Sequence, residues 1–137
     1  MEIATVKILI VDDEPDLCWA LERMIRASNT VISTASCAAE AIKLVGQHSY
    51  DVAFIDAILP DANGIQLAQR IVTISPGTSI ILMSGYYYHE DMSSHQAHIA
   101  GFLAKPFLIS DVRAILQHAL RQTGASRSST YAPHTAS

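Results

Sequence analysis

Four short stretches of this 137-residue chain carry residues that can do chemistry together: Asp12-Asp13-Glu14, Asp56, Ser84-Gly85 and Lys105-Pro106. Carboxylates drawn to one place repel each other, and loss of water strengthens the repulsion. They call for a cation, and an all-oxygen donor set with room for water suits Mg²⁺, with Mn²⁺ able to take its place. A carboxylate is also a nucleophile toward phosphorus and forms an acyl phosphate. The cation would neutralise charge on an incoming phosphoryl group and orient it in line. Lys105 offers a compact positive charge for one phosphoryl oxygen, and the Ser84 hydroxyl offers a donor for another. The set points to phosphoryl transfer onto Asp56.

Such residues do nothing unless the chain brings them together. Strand-like and helix-like stretches alternate five times. The strand candidates are Lys7 to Val11, Thr30 to Thr34, Val52 to Ile55, Ser79 to Met83 and the short Phe102 to Ala104. Continuous apolar runs of this length suit strands of a parallel sheet buried on both faces. Pro15 suits the first turn of a helix, with Leu17, Ala20, Leu21, Met24 and Ile25 on its inner face. Ser36 is placed to cap a second helix with Ala38, Ala41, Ile42 and Val45 inward. Ile65, Ala68, Ile71 and Val72 mark a third helix, and the polar segment 90–99 a weaker fourth, closed by Gly101. Ser110 is placed to cap a last helix with Val112, Ile115, Leu116, Ala119 and Leu120 inward. From about Thr123 onward the chain has no apolar stripe and reads as a disordered tail or linker, so the domain is expected over residues 1–122 and the tail over 123–137.

Five alternating units imply an α/β fold, an open, doubly wound parallel sheet with helices on both faces. Ligands of such sheets bind at the carboxyl ends of the strands. Asp12 and Asp13 follow the first strand, Asp56 the third, Ser84 the fourth and Lys105 the fifth. One acid after one strand is commonplace, but all of these on one sheet edge form a site.

Composition narrows the class. Half of the residues are hydrophobic, enough for a sizeable core, and the net charge of −4 argues against a nucleic-acid-binding surface. No apolar run approaches the length of a membrane span, and no signal peptide is visible, so a cytoplasmic location is expected. Cys18 and Cys37 sit among apolar or small residues and read as buried free thiols.

The pieces Ile10-Val11-Asp12-Asp13-Glu14, Phe54-Ile55-Asp56 with Leu59-Pro60-Asp61 and Gly64, Met83-Ser84-Gly85, and Lys105-Pro106-Phe107 occur in this order and spacing. They resemble the receiver domains of two-component response regulators, over about residues 5 to 121. The resemblance implies the flavodoxin-like strand order 2-1-3-4-5. It implies that Asp56 is phosphorylated by a histidine kinase or phosphotransfer protein. Asp12, Asp13, Asp56 and the backbone carbonyl of Ile58 would hold the metal. Lys105 would bind phosphate, and its peptide bond to Pro106 would be cis. Ser84 and Phe102 would act as the switch pair, altering the surface of the fourth helix, fifth strand and last helix. No enzyme activity beyond self-catalysed phosphotransfer and slow autodephosphorylation is expected. A phosphorylation-dependent homodimer and an output partner or fused output domain fit the same resemblance.

Two positions depart from the hydrophilic pattern that speeds hydrolysis. Ile58 and Tyr86 flank the path of the attacking water in receivers, and neither can position it, so the acyl phosphate is expected to be long-lived. The run Tyr86-Tyr87-Tyr88 reads either as loop packing or as part of a partner-binding face. His89, His95 and His98 lack the spacing of a metal motif. A metal-dependent phosphohydrolase would want a second carboxylate two residues after Asp56, where Ile58 stands. A nucleotide-binding domain would want a glycine-rich loop after the first strand. A stand-alone receiver and the receiver portion of a longer protein both remain open.

Overall fold

An uninterrupted apolar strand is stable only where both of its faces are covered, and the three central strands here are buried along almost their whole length, whereas the two edge strands are only partly buried. In the computed structural model, which describes residues 5–85 and 99–121, the order is β1 (Val6–Val11), α1 (Pro15–Ile25), β2 (Thr30–Ala35), α2 (Ala38–Gln47), β3 (Val52–Asp56), α3 (Gly64–Ile74), β4 (Ser79–Ser84), β5 (Ile99–Ala104) and α4 (Ile109–Arg121). All neighbouring strands pair in parallel, in the order β2-β1-β3-β4-β5. The expected doubly wound sheet and its strand order are therefore observed.

Side chains alternate between two apolar layers. Val6, Ile8 and Ile10 of β1 and Val52 and Phe54 of β3 pack toward α1 and α4. Leu9 and Val11 of β1 and Ala53 and Ile55 of β3 pack toward α2 and α3. The helices answer with Leu21 and Ile25, Ala41 and Val45, Leu67 and Ile71, and Val112 and Leu116. Burying each large aliphatic side chain stabilises the fold by about 1.5–3 kcal/mol. The core thus holds the strand ends still, which is what a multi-residue site on the sheet edge requires.

Several local expectations are corrected. Residues 99–101 are not the end of a helix: β5 begins at Ile99, and Gly101 lies inside it. A Cβ at Gly101 would come within 2.7 Å of the Ile115 side chain, so this glycine lets α4 pack close to the strand. A register shift opposite Ile80 and Ile81 accommodates the extra residue of β5. Ser36 does not cap α2, because the cap position is Cys37, whose own side chain makes no capping bond. Ser110 does not cap the last helix, which already includes Ile109 and in which the Val112 amide donates to Leu108. Cys18 is buried as expected, but Cys37 is only half-buried. Pro15 does occupy the first turn of α1, and Asn63 caps α3 by accepting from the Gln66 amide at 2.8 Å. The weaker helix at 90–98, Tyr86 to Tyr88, the three histidines and the tail lie outside the described residues. Among the described residues, no helix is long and apolar enough to cross a membrane.

Candidate functional site

Three strand ends deliver the site, each fixed by a backbone hydrogen bond to its neighbour. The Asp12 amide donates to Ala35 at 3.0 Å, the Ala57 amide to Met83 at 2.8 Å and the Lys105 amide to Ser84 at 2.8 Å. Asp12 and Asp56 are buried and Asp13 is exposed. One carboxylate oxygen from each of the three lies within 4.8 Å of the others.

Lys105 reaches into this cluster. Its Nζ donates to Asp12 Oδ2 at 2.9 Å and lies 3.2 Å from Asp56 Oδ2. The other oxygen of Asp12 accepts from the Glu14 amide at 2.9 Å, and the other oxygen of Asp56 accepts from the Ile58 amide at 3.3 Å. The Lys105–Pro106 peptide bond is cis. Burial first, and then the nearby Asp12 carboxylate, push the Asp56 carboxyl above its ordinary value, against the pull of Lys105 and the Ile58 amide. For Lys105, burial works against the ammonium, but hydrogen bonding and attraction to Asp12 and Asp56 outweigh it and raise the value. Burial and Asp12 push the Cys18 thiol up to about 11, and its sulfur donates to the Asp12 carbonyl at 3.4 Å.

The β3–α3 connection is a miniature hairpin. Gly64 donates to Ala57 at 2.7 Å, Ile58 bridges Asn63, and Leu59 donates to Ala62 at 3.0 Å. Its base rests on the phosphoacceptor candidate: a Cβ at Gly64 would run into the carbonyl oxygen of Asp56 and come within 2.9 Å of the Ala57 Cα. Its tip carries Asp61, whose two oxygens accept from the amides of Ala38 at 2.8 Å and Ala39 at 3.0 Å. Those amides hold the Asp61 carboxyl below the ordinary carboxylate range. Sequence reasoning missed this contact. It had placed Asp61 in the loop motif, and no local spacing signals a partner 22 or 23 residues away.

The remaining predicted residues are near by but not in the ion cluster. Ser84 is buried at the end of β4, in register with Ala104. Phe102 is half-buried in β5, opposite Leu82, against the layer of α2 and α3. The Ile58 side chain is exposed at 57% while its amide faces Asp56. Tyr86 lies outside the described residues. A cavity of about 300 Å³ opens beside Asp12 and Asp13 and is lined by Cys18, Trp19, Glu22 and Glu40 among others.

The donor chemistry fits a hard divalent cation. Three carboxylates within 4.8 Å supply only oxygen, and one ammonium cannot balance their charge. Asp12, Asp13 and Asp56 would hold such an ion.

Comparison with known proteins agrees with this picture. A family model described as the response regulator receiver domain matches residues 8–117. The probable transcriptional regulatory protein TcrX of Mycobacterium tuberculosis is 30% identical over 122 residues, covering 88% of this chain and 52% of that protein. A two-component response regulator from Clostridium difficile has a solved structure with a TM-score of 0.76 at 28% identity, covering 86% of this chain and 98% of that one. The signal receiver domain of an HD domain-containing protein from Pseudomonas fluorescens superposes with a TM-score of 0.82 at 23% identity, covering 93% of this chain and 95% of that one, and speaks for the fold alone. The chain spans about half the length of the curated relatives TcrX and PrrA that it matches, 52% and 55% respectively.

Proposed function

Since the chain belongs to the response regulator receiver domain family of two-component systems, we propose that it accepts a phosphoryl group on Asp56 from a histidine kinase or phosphotransfer protein. The observation that carries this reading is the single cluster in which Lys105 pairs with both Asp12 and Asp56 while Asp13 stands beside them. An Asp56 oxygen attacks phosphorus, the bond to the donor nitrogen breaks, and the imidazole leaves with the electron pair. Asp56 is held by the Ile58 amide and by Lys105, so one oxygen is oriented before the donor arrives.

Asp12, Asp13, Asp56 and the Ile58 carbonyl would hold Mg²⁺, or Mn²⁺ in its place, which would supply positive charge for the phosphoryl oxygens. Lys105 then exchanges its contact with Asp56 for a phosphoryl oxygen. The Ser84 hydroxyl donates to another, and Phe102 turns into the space that Ser84 leaves. Phe102 is half-buried on β5 and packs against the layer of α2 and α3. That movement alters the face of β5 and α4, together with the segment before β5, and so controls an output partner, a fused output domain or a homodimer. The exposed apolar Ile58 side chain offers hydrolytic water no hydrogen bond, and Tyr86, two residues after Ser84 in sequence, brings no carboxylate or amide to position water, so the acyl phosphate is lost slowly.

The test is incubation with phosphoramidate or acetyl phosphate and Mg²⁺, followed by intact-mass measurement. One added phosphoryl group is expected, absent in Asp56→Asn. An unmodified wild type, or an adduct that persists in Asp56→Asn, sinks the assignment. Loss of the group within seconds overturns the slow-hydrolysis reading alone.

A further inference from the structure

A carboxylate that accepts two amides from a helix 22 and 23 residues upstream does more than finish its own turn. Asp61 sits at the tip of the β3–α3 hairpin, and the base of that hairpin is Asp56 itself. Between tip and base the rungs are Leu59 to Ala62, the Ile58–Asn63 bridge and Gly64 to Ala57. The second residue of the ladder, Ile58, presents its amide to Asp56. The hairpin is therefore clamped at both ends, by the sheet at Asp56 and by the start of α2 at Asp61. We propose that Asp61 is a positioning residue for phosphoryl uptake, holding the Ile58 backbone against Asp56 by tying the hairpin tip to the first two free amides of α2.

The physical case rests on what α2 lacks. Its cap residue Cys37 provides no side-chain capping bond, so the first amides of the helix need an outside acceptor. Asp61 fills that need with both oxygens, and a carboxylate there is favoured by the helix dipole. The same bonds that complete α2 restrain the loop at Asp56, so the restraint is as strong as the helix start is needy. Leu59, buried in the layer of α2 and α3, fixes the hairpin from below but leaves its tilt about that point to Asp61. Asp51 offers an internal control. Its carboxylate also accepts a backbone amide, that of Lys7 at 2.8 Å, but it stands just before β3, at the opposite end of the strand from Asp56.

This inference rests on the phosphoacceptor reading of Asp56, and the experiment separates the two. Phosphoryl uptake from phosphoramidate is followed at several Mg²⁺ concentrations in wild type, Asp61→Ala, Asp61→Asn and Asp51→Ala. Hydrogen exchange at the Ile58 amide is measured on the same metal-free proteins. Asp61→Ala should slow uptake and raise the half-saturating Mg²⁺ concentration by about fivefold or more, the scale set by losing a helix cap. It should also speed Ile58 exchange by a similar factor. Asp61→Asn, which keeps one acceptor oxygen, should fall between, and Asp51→Ala should match wild type in both readouts. Should Asp61→Ala fail to fold, Asp61→Asn against Asp51→Ala decides the matter. An Asp61 variant indistinguishable from wild type, or an Asp51→Ala defect of equal size, overturns the proposal while Asp56 remains the acceptor. A wild type that takes up no phosphoryl group overturns both.

Discussion

Replacing Gly64 with alanine should cost this fold more than most surface substitutions, because the added methyl group has nowhere to go. It would run into the Asp56 carbonyl oxygen and lie 2.9 Å from both the Ala57 Cα and the Asp56 carbonyl carbon. All three are backbone atoms of β3 and its extension, so no rotamer change relieves the contact. Overpacking of this kind costs about 1–3 kcal/mol. Moving α3 away to make room also stretches the 2.7 Å bond from Gly64 to Ala57, worth about 1 kcal/mol. Alanine recovers up to about 1 kcal/mol of helix propensity at the start of α3. The net loss should be about 1–3 kcal/mol. Urea unfolding reads this directly: with a slope of about 2 kcal/mol per molar, the midpoint should fall by roughly 0.5–1.5 M at unchanged slope. Gly46→Ala is the matched control. It lies in α2 with nothing within 4 Å of the added carbon, and should stabilise by about 0.5–1 kcal/mol. Because Gly64 touches the backbone of the proposed phosphoacceptor, uptake on Asp56 should also slow. A Gly64→Ala protein within about 0.5 kcal/mol of wild type would refute the packing argument.

Lys105→Ala leaves two buried carboxylates facing one another, so metal-free protein should lose about 1–3 kcal/mol, less than a fully buried broken pair because the lysine keeps some solvent contact. Mg²⁺ should therefore raise the melting temperature of this variant more than that of wild type; an equal rise argues against a shared cation site. Cys37 should react with a disulfide reagent at pH 8 well ahead of Cys18, whose thiol is buried and pushed up to about 11; peptide mapping of the first adduct decides it. Asp61 is held below the ordinary carboxylate value, so its stabilising contribution is present above the unfolded value of about 3.9 and is lost as pH falls through the lower folded value. The stability difference between wild type and Asp61→Ala should accordingly be flat from pH 7 to about 5 and close below about pH 4; a difference that grows on acidification contradicts the cap.

The parts of this fold that could be read from sequence are those whose signal is local. Ile8 to Val11 and Val52 to Ile55 are apolar without alternation, and a strand covered on both sides is the only comfortable place for them. Each run ends in acid, so the site edge was legible with the strands. The parts that could not be read depend on partners far along the chain. Asp61 looks like an ordinary turn residue, and only the folded arrangement brings the α2 amides to it. Ser36 and Ser110 have the right chemistry for caps, but neither helix uses its hydroxyl in that way. Gly101 ends no helix: a glycine that stops a helix and a glycine that lets α4 approach β5 look alike in one dimension.

The pairing of Lys105 with both acids also bears on why the fourth strand ends in small residues. In the order β1-β3-β4-β5, Lys105 begins two strands from Asp56 and three from Asp12, or about 10 and 14 Å across the sheet at the usual strand spacing. Its ammonium nevertheless lies 2.9 Å from Asp12 and 3.2 Å from Asp56. The lysine must therefore cross the end of β4, where Ser84 and Gly85 stand. A large side chain at either position would compete with the lysine stem for that crossing. The serine at the end of β4 thus has a steric reason to be small before any phosphoryl group arrives, and its hydroxyl is an addition to that requirement. The same constraint ties the charge balance of the site to the packing at the β4 end: what fills the space over Ser84 governs where the Lys105 charge can sit, and so how much of the Asp12 and Asp56 charge is left for a cation.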